Sequence, residues 1–197
     1  MNSSFADLLV MLRAEFCIAG DWTSVGLASI QALQVPFTRI VSQVGKIAPS
    51  RCILDNGNFD FSRDGEDCLV FEVLSDDDET VIDLCAFSTA DPSRFGTGTG
   101  RAILLGEANV RNPASWAWGK ALPIRRSPLA WLRAGCTGVV ILDHRYAPVI
   151  LREAPGRLLA EDEQHARELR LMLSTPAVPE EMIVHPGTSK SSKRRAA

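Results

Sequence analysis

The chain opens with a helical rhythm. Phe5, Leu8, Leu9, Leu12 and Phe16 recur at three- and four-residue intervals, Ser4 and Asp7 form a capping box, and Gly20 ends the pattern. Asp21 and Ser24 start a second helical stretch with Val25, Ala28 and Leu33 on one face. Pro36 ends it and opens a third, which runs through Ile40, Val41 and Val44 to Gly45. The spacing predicts a helical layer over residues 1–50, with Leu8, Leu12 and Phe16 in the core.

The period changes at residue 51. Arg51 to Asp55, the dipeptide Asn56-Gly57 and Asn58 to Ser62 read as a β-hairpin, because Asn-Gly supplies the two positive φ values of a type I′ turn. Two further runs, 68–74 and 80–87, are rich in strand formers and are joined by the acidic turn Ser75 to Glu79. Short connections make these four strands an antiparallel meander over residues 51–110, with Val70, Phe71, Val81 and Leu84 inward. The glycine-rich segment 96–100 leads into a fifth strand, 102–107, centred on Leu104. Because it precedes a strand and no helix start follows, it reads as a flexible connection and not as a phosphate loop.

Residues 111–173 follow a mixed grammar. Asn112-Pro113 and Ser127-Pro128 each pair an N-cap with proline at the first helical position. Gly135 stops the second of these helices, which carries Leu129, Trp131 and Leu132. Gly138 to Asp143 is a continuous apolar run, the mark of a strand buried on both faces, with Val140 and Leu142 in the core. Leu159, Ala166, Leu169 and Leu173 form one stripe of a last helix. Residues 174–197 lose all periodicity and read as a disordered basic tail. The whole predicts one α+β domain, 1–173: N-terminal helices, then an antiparallel meander extended by a C-terminal β-α-β-α element.

Composition narrows the class. With 197 residues, 46% hydrophobic and 23% charged, the chain can fill a core of its own, which excludes fibrous and wholly disordered proteins. No apolar run approaches the ~18 residues of a membrane span, and the N-terminus lacks a basic signal-peptide region. Five cysteines without a C-x-x-C pair point to a reduced, cytoplasmic protein. The net charge of -3 hides an asymmetry: residues 1–99 carry -9 and residues 100–197 carry +6. That split fits either a basic half facing an anion or two halves that attract each other.

Candidate chemistry is sparse. Glu107 ends the strand at 102–106 and Asp143 ends the strand at 139–142, with helical material between. If the strands are parallel neighbours, a right-handed crossover brings both carboxylates to one edge, where they could hold Mg²⁺ through oxygens while Arg125, Arg126 and Arg145 face a phosphate. As purely structural groups, Asp143 would cap the next helix and Glu107 would pair with an arginine. Trp116, Trp118 and Trp131 among Arg111, Lys120, Arg125, Arg126 and Arg133 form a second candidate, since aromatics beside cations bind single-stranded nucleic acid. The pI of about 5.6 lies below the usual range of a dedicated nucleic-acid binder. His144, His165 and His185 are too scattered for a zinc site, and Cys136 carries no nucleophile signature.

Leu105-Gly-Glu107 followed by Ile141-Leu-Asp143-His-Arg145 resembles the Toprim domain of primases, topoisomerases and phage nucleases. That resemblance implies metal-dependent phosphate-ester chemistry. Asp143-His-Arg145 lacks the second acid of the family's Asp-x-Asp. The stretch 126–143 is also similar to a segment of uncharacterised bacterial and prophage-borne proteins, which implies a mobile-element origin and no activity. With no intact catalytic constellation, the expected function is that of a soluble accessory protein without cofactor, binding a protein partner or a second copy of itself. The alternatives are a Mg²⁺-dependent phosphate-ester or nucleic-acid processing enzyme using Glu107 and Asp143, and a non-catalytic nucleic-acid binder using residues 111–133.

Overall fold

A computed structural model describes residues 5–21, 23, 28, 30–35, 46–77 and 79–174. The first helix, α1 (Phe5–Ala19), buries Leu9, Leu12 and Phe16 and closes where the Gly20 N–H donates to the Phe16 carbonyl. Leu8, expected in the core, is 38% exposed, because a helix turns ~100° per residue and places it at the edge of that face. Ser4, the third helix at 36–45 and the tail beyond 174 lie outside the described residues; of the second helix, residues 28 and 30–32 are helical.

Strands β1 (Ile47–Asp55) and β2 (Asn58–Phe61) form the expected hairpin, with Asn56 and Gly57 both left-handed at φ 48° and 79°. β3 (Glu66–Leu74) then departs from a plain meander. It returns antiparallel to the other edge of β1, placing Ile47 opposite Phe71 and Cys52 opposite Glu66. β4 (Val81–Ser88) pairs with β3, and β5 (Phe95–Thr97) pairs antiparallel with β4 and parallel with β2. The five strands close into a barrel in the order β1-β2-β5-β4-β3. Gly96 permits the closure: a Cβ there would lie 2.5 Å from the Asn58 carbonyl oxygen.

Cys52, Phe59, Cys68, Val70, Leu84 and Ala86 fill the barrel, and Leu12 and Phe16 of α1 pack onto them. One ion pair fixes α1 on the barrel. Glu72, buried, accepts from the Arg13 Nε–H at 2.8 Å and from the Lys46 backbone N–H at 2.8 Å. Glu72→Gln should therefore lower stability by ~2 kcal/mol in denaturant unfolding, the scale of a charge-assisted bond on a buried acceptor; a loss under ~0.5 kcal/mol would show that the pair does not anchor the helix.

The second half builds its own sheet. β6 (Leu104–Leu105), β7 (Leu122–Arg125), β8 (Val139–Ile141) and β9 (Leu158–Leu159) lie in the order β6-β8-β7-β9. β7 is parallel to β8 and to β9, whereas β6 is antiparallel to β8. Helices α2 (Ala108–Arg111) and α3 (Pro113–Trp116) lead from β6 towards β7, α4 (Pro128–Arg133) joins β7 to β8, α5 (Ala147–Arg152) joins β8 to β9, and α6 (Glu163–Ser174) follows. The expected caps are in place: the Asn112 and Ser127 side chains accept from the Ala114 and Ala130 N–H groups. The chain is thus an α+β protein.

Barrel and sheet share a core. Leu69, Phe71, Val73, Cys85 and Phe87, on the outer wall of β3 and β4, pack with Leu129, Trp131 and Leu132 of α4 and Val140 of β8. That double burial explains why β3 and β4 read as almost unbroken apolar runs. α5 and α6 cover the opposite face of the sheet through Ala147, Leu151 and Leu169. No helix among the described residues is long and apolar enough to cross a membrane.

Candidate functional site

The expected pairing of Glu107 with Asp143 fails on strand direction. Leu104 lies opposite Ile141 and Leu105 opposite Val140 in an antiparallel ladder, so the two chains leave it at opposite ends. Asp143 emerges beside Ile103, whose carbonyl accepts its N–H at 3.1 Å, while Glu107 emerges on the Gly138 side. The βαβ crossover exists, but its first strand is β7, not β6.

The two acids also titrate in opposite directions. Hydrogen bonds from Arg145, whose Nη2 is 2.9 Å from Oδ2, hold Asp143 below the usual carboxylate range. Burial, aided by the charge of Asp76, pushes half-buried Glu107 up. Among the described residues no three His, Cys, Asp or Glu side chains are grouped to hold a metal. These residues do not fit a shared Mg²⁺, whose oxygen ligands must converge to ~2.1 Å. Arg145, an exposed side chain, is paired with Asp143.

The aromatic and basic residues of 111–133 do not share a surface. Trp131 is buried and donates its indole N–H to the Gly138 carbonyl at 2.9 Å. Trp116 is half-buried and donates to the Val110 carbonyl. Only Trp118, 96% exposed and left-handed at φ 62°, presents its ring to solvent. Three of the five cations around them are engaged: Arg111 binds Asp76, Arg133 donates to the Leu33 carbonyl, and Arg126 binds Asp162 and Glu168.

The glycine-rich segment takes an unexpected role. Asp83, fully buried on β4, accepts four backbone N–H groups: Leu84 and Thr99 on Oδ1, Arg101 and Ala102 on Oδ2. Residues 99–102 are therefore wrapped around a protein carboxylate. The chain is pinned there, not a flexible connection. Of the four buried cysteines three are pushed up, while Cys68 is lowered by its hydrogen bond to Cys52. Burial pushes the Cys136 thiol up to about 12 and Cys85 higher, and Cys52, hydrogen-bonded to Cys68 inside the barrel, is raised too.

Two surfaces stand out among the described residues. The first is the outer side of α1. Val10, Met11 and Ile18 are 68%, 66% and 86% exposed, and Ala14 lies between them. The helix is therefore apolar on both faces, one against the barrel and one in water. The second is a cleft of about 390 Å³ at the carboxyl ends of β7 and β8, where Arg125, Arg126, His144 and His165 meet Phe95 of the barrel. The adjacent arginines marked this place in the sequence. His165, in the sequence one of three scattered histidines, is buried, and that burial depends on residues distant in the chain. No protein-family model, no curated protein and no solved structure matches the chain.

Proposed function

We propose that the protein acts by binding a second copy of itself through the outer face of α1, as an accessory protein that carries no catalytic machinery of its own. The observation that carries this reading is the row Val10, Ala14 and Ile18, spaced at i, i+4 and i+8 with Met11 beside it, exposed on a helix whose other face is already used. Three large apolar side chains on one exposed face of a four-turn helix mark an interaction surface. Alanine at the centre lets two such helices approach to the ~8–10 Å of packed pairs. A two-fold axis through that point sets each patch on its own image, the commonest arrangement of soluble homo-oligomers. Four buried, reduced thiols suit the reducing cytoplasm.

Sedimentation velocity tests the reading. The full chain is expected to be dimeric at micromolar concentration, and the double variant M11E/I18E is expected to be monomeric with an unchanged far-ultraviolet spectrum. A wild-type protein that stays monomeric to ~100 µM, a concentration at which even weak specific pairs form, would sink the proposal.

A further inference from the structure

The cleft beside Arg125 is independent of the dimer surface. Of the three parallel strands β7 comes first, β8 is added on one side and β9 on the other, with α4 covering one face and α5 and α6 the other. In such a sheet the connections part at the carboxyl end of the first strand and leave a crevice, the usual ligand position of open parallel sheets. Here the barrel adds a wall, through Ser93 and Phe95.

Two donors in this crevice lack acceptors among the described residues. The Arg125 Nε–H is buried and makes no hydrogen bond, and the acid that its guanidinium faces, Glu161, stands 3.9 Å from Nη1. The other is on His165. Its Nδ1 accepts the Glu161 backbone N–H at 3.2 Å, so in the neutral ring the proton sits on Nε2. Burial, with Arg126 nearby, lowers its pKa and keeps the ring neutral near pH 7. An unsatisfied buried donor is costly, so the Arg125 Nε–H beside this cavity is one that an acceptor would relieve, and His165 Nε2–H stands at the same cavity without a protein partner among the described residues.

Charge selects the acceptor. Arg126 is held by Asp162 at 3.1 Å and by Glu168 at 3.0 Å, and Glu161 faces Arg125. Arg126 is thus fully engaged, whereas Arg125, whose acid stands at 3.9 Å, keeps donors for a single carboxylate, and the three acids around it oppose a more highly charged ligand. The walls contributed by Phe95, Ile141, Leu169 and Met172 are apolar. We infer that this cleft binds a small monocarboxylate with an aromatic or apolar body, its carboxylate forked on Arg125 with His165 Nε2–H as third donor and its body against Phe95 and Met172. A guanidinium presents paired parallel N–H groups that match a carboxylate in this way.

Calorimetric titration of the full chain with benzoate is the test. One saturable site with Kd of ~0.1–1 mM is expected, with phenyl phosphate weaker and Arg125→Gln weakened at least ~10-fold. In the wild-type protein, benzoate should shift the His165 imidazole resonances, which keeps the test valid if Arg125→Gln does not fold. Absence of saturation by ~10 mM benzoate, phenyl phosphate binding the tighter, undiminished binding by a folded Arg125→Gln, or an unmoved His165 signal would each overturn the inference.

Discussion

Asp83→Ala is expected to lower stability by ~4 kcal/mol, which for a domain of this size removes a large part of the total. The Asp83 carboxylate is enclosed and receives the N–H groups of Leu84, Thr99, Arg101 and Ala102 at 2.8 to 3.1 Å. Truncation strands these donors where water cannot replace the oxygens, at ~1–3 kcal/mol for each group that stays buried, offset by relaxation and by removal of a buried charge. Asp83→Asn separates shape from acceptor chemistry. An amide keeps one oxygen for two of the N–H groups but turns its own N–H₂ towards the other two, so about half of the loss, ~2 kcal/mol, should remain. Guanidinium unfolding of both variants, with hydrogen exchange at residues 99–102, would measure this. A loss below ~1 kcal/mol for the alanine variant would mean that the loop finds other acceptors.

Trp131→Ala should cost ~3–5 kcal/mol, the usual range for emptying a buried indole site. Trp131 packs in the shared core, and its ring lies so close to Gly106 that a Cβ there would come within 2.9 Å of the indole nitrogen. Trp131→Phe distinguishes the two contributions of the side chain. The Gly138 carbonyl that accepts the indole N–H also accepts Asn109 Nδ2–H at 3.0 Å, so losing the indole donor does not orphan it. Most of the cost should then follow lost volume, and Trp131→Phe should lose only ~1–2 kcal/mol. If phenylalanine proves as damaging as alanine by urea titration, the hydrogen bond and not the packing holds this junction.

Local chemistry made part of the architecture legible. The turn at Asn56-Gly57, the caps at Asn112 and Ser127, the stop at Gly135 and the apolar run of β8 each depend on residues within a few positions of one another, and each stands where the spacing placed it. The remainder depends on distant partners. β5 has three residues, and β6 and β9 two each, too few to carry a period. The barrel closes through Asn58 opposite Thr97, and nothing in either neighbourhood announces that meeting. The glycine-rich segment was read without its acceptor, because Asp83 lies sixteen residues or more before the amides it binds there.

The candidate site divides in the same way. Arg125 and Arg126 were conspicuous as neighbours, and they do line a cleft. The acids that decide its charge, Glu168 of α6 and Asp162 just before that helix, approach Arg126 only in the tertiary structure. Glu107 and Asp143 leave opposite ends of the ladder because β6 runs against β8, and a strand's direction is not written in its composition.

The wall that joins barrel to sheet carries one more consequence. Phe71 and Phe87 lie in the shared cluster with α4 and β8, apart from the group that fills the barrel. Neither half is a detachable module. A cut near residue 100 would leave each fragment with a greasy flank that only the other can cover, so the molecule must be inherited, expressed and engineered as a single piece.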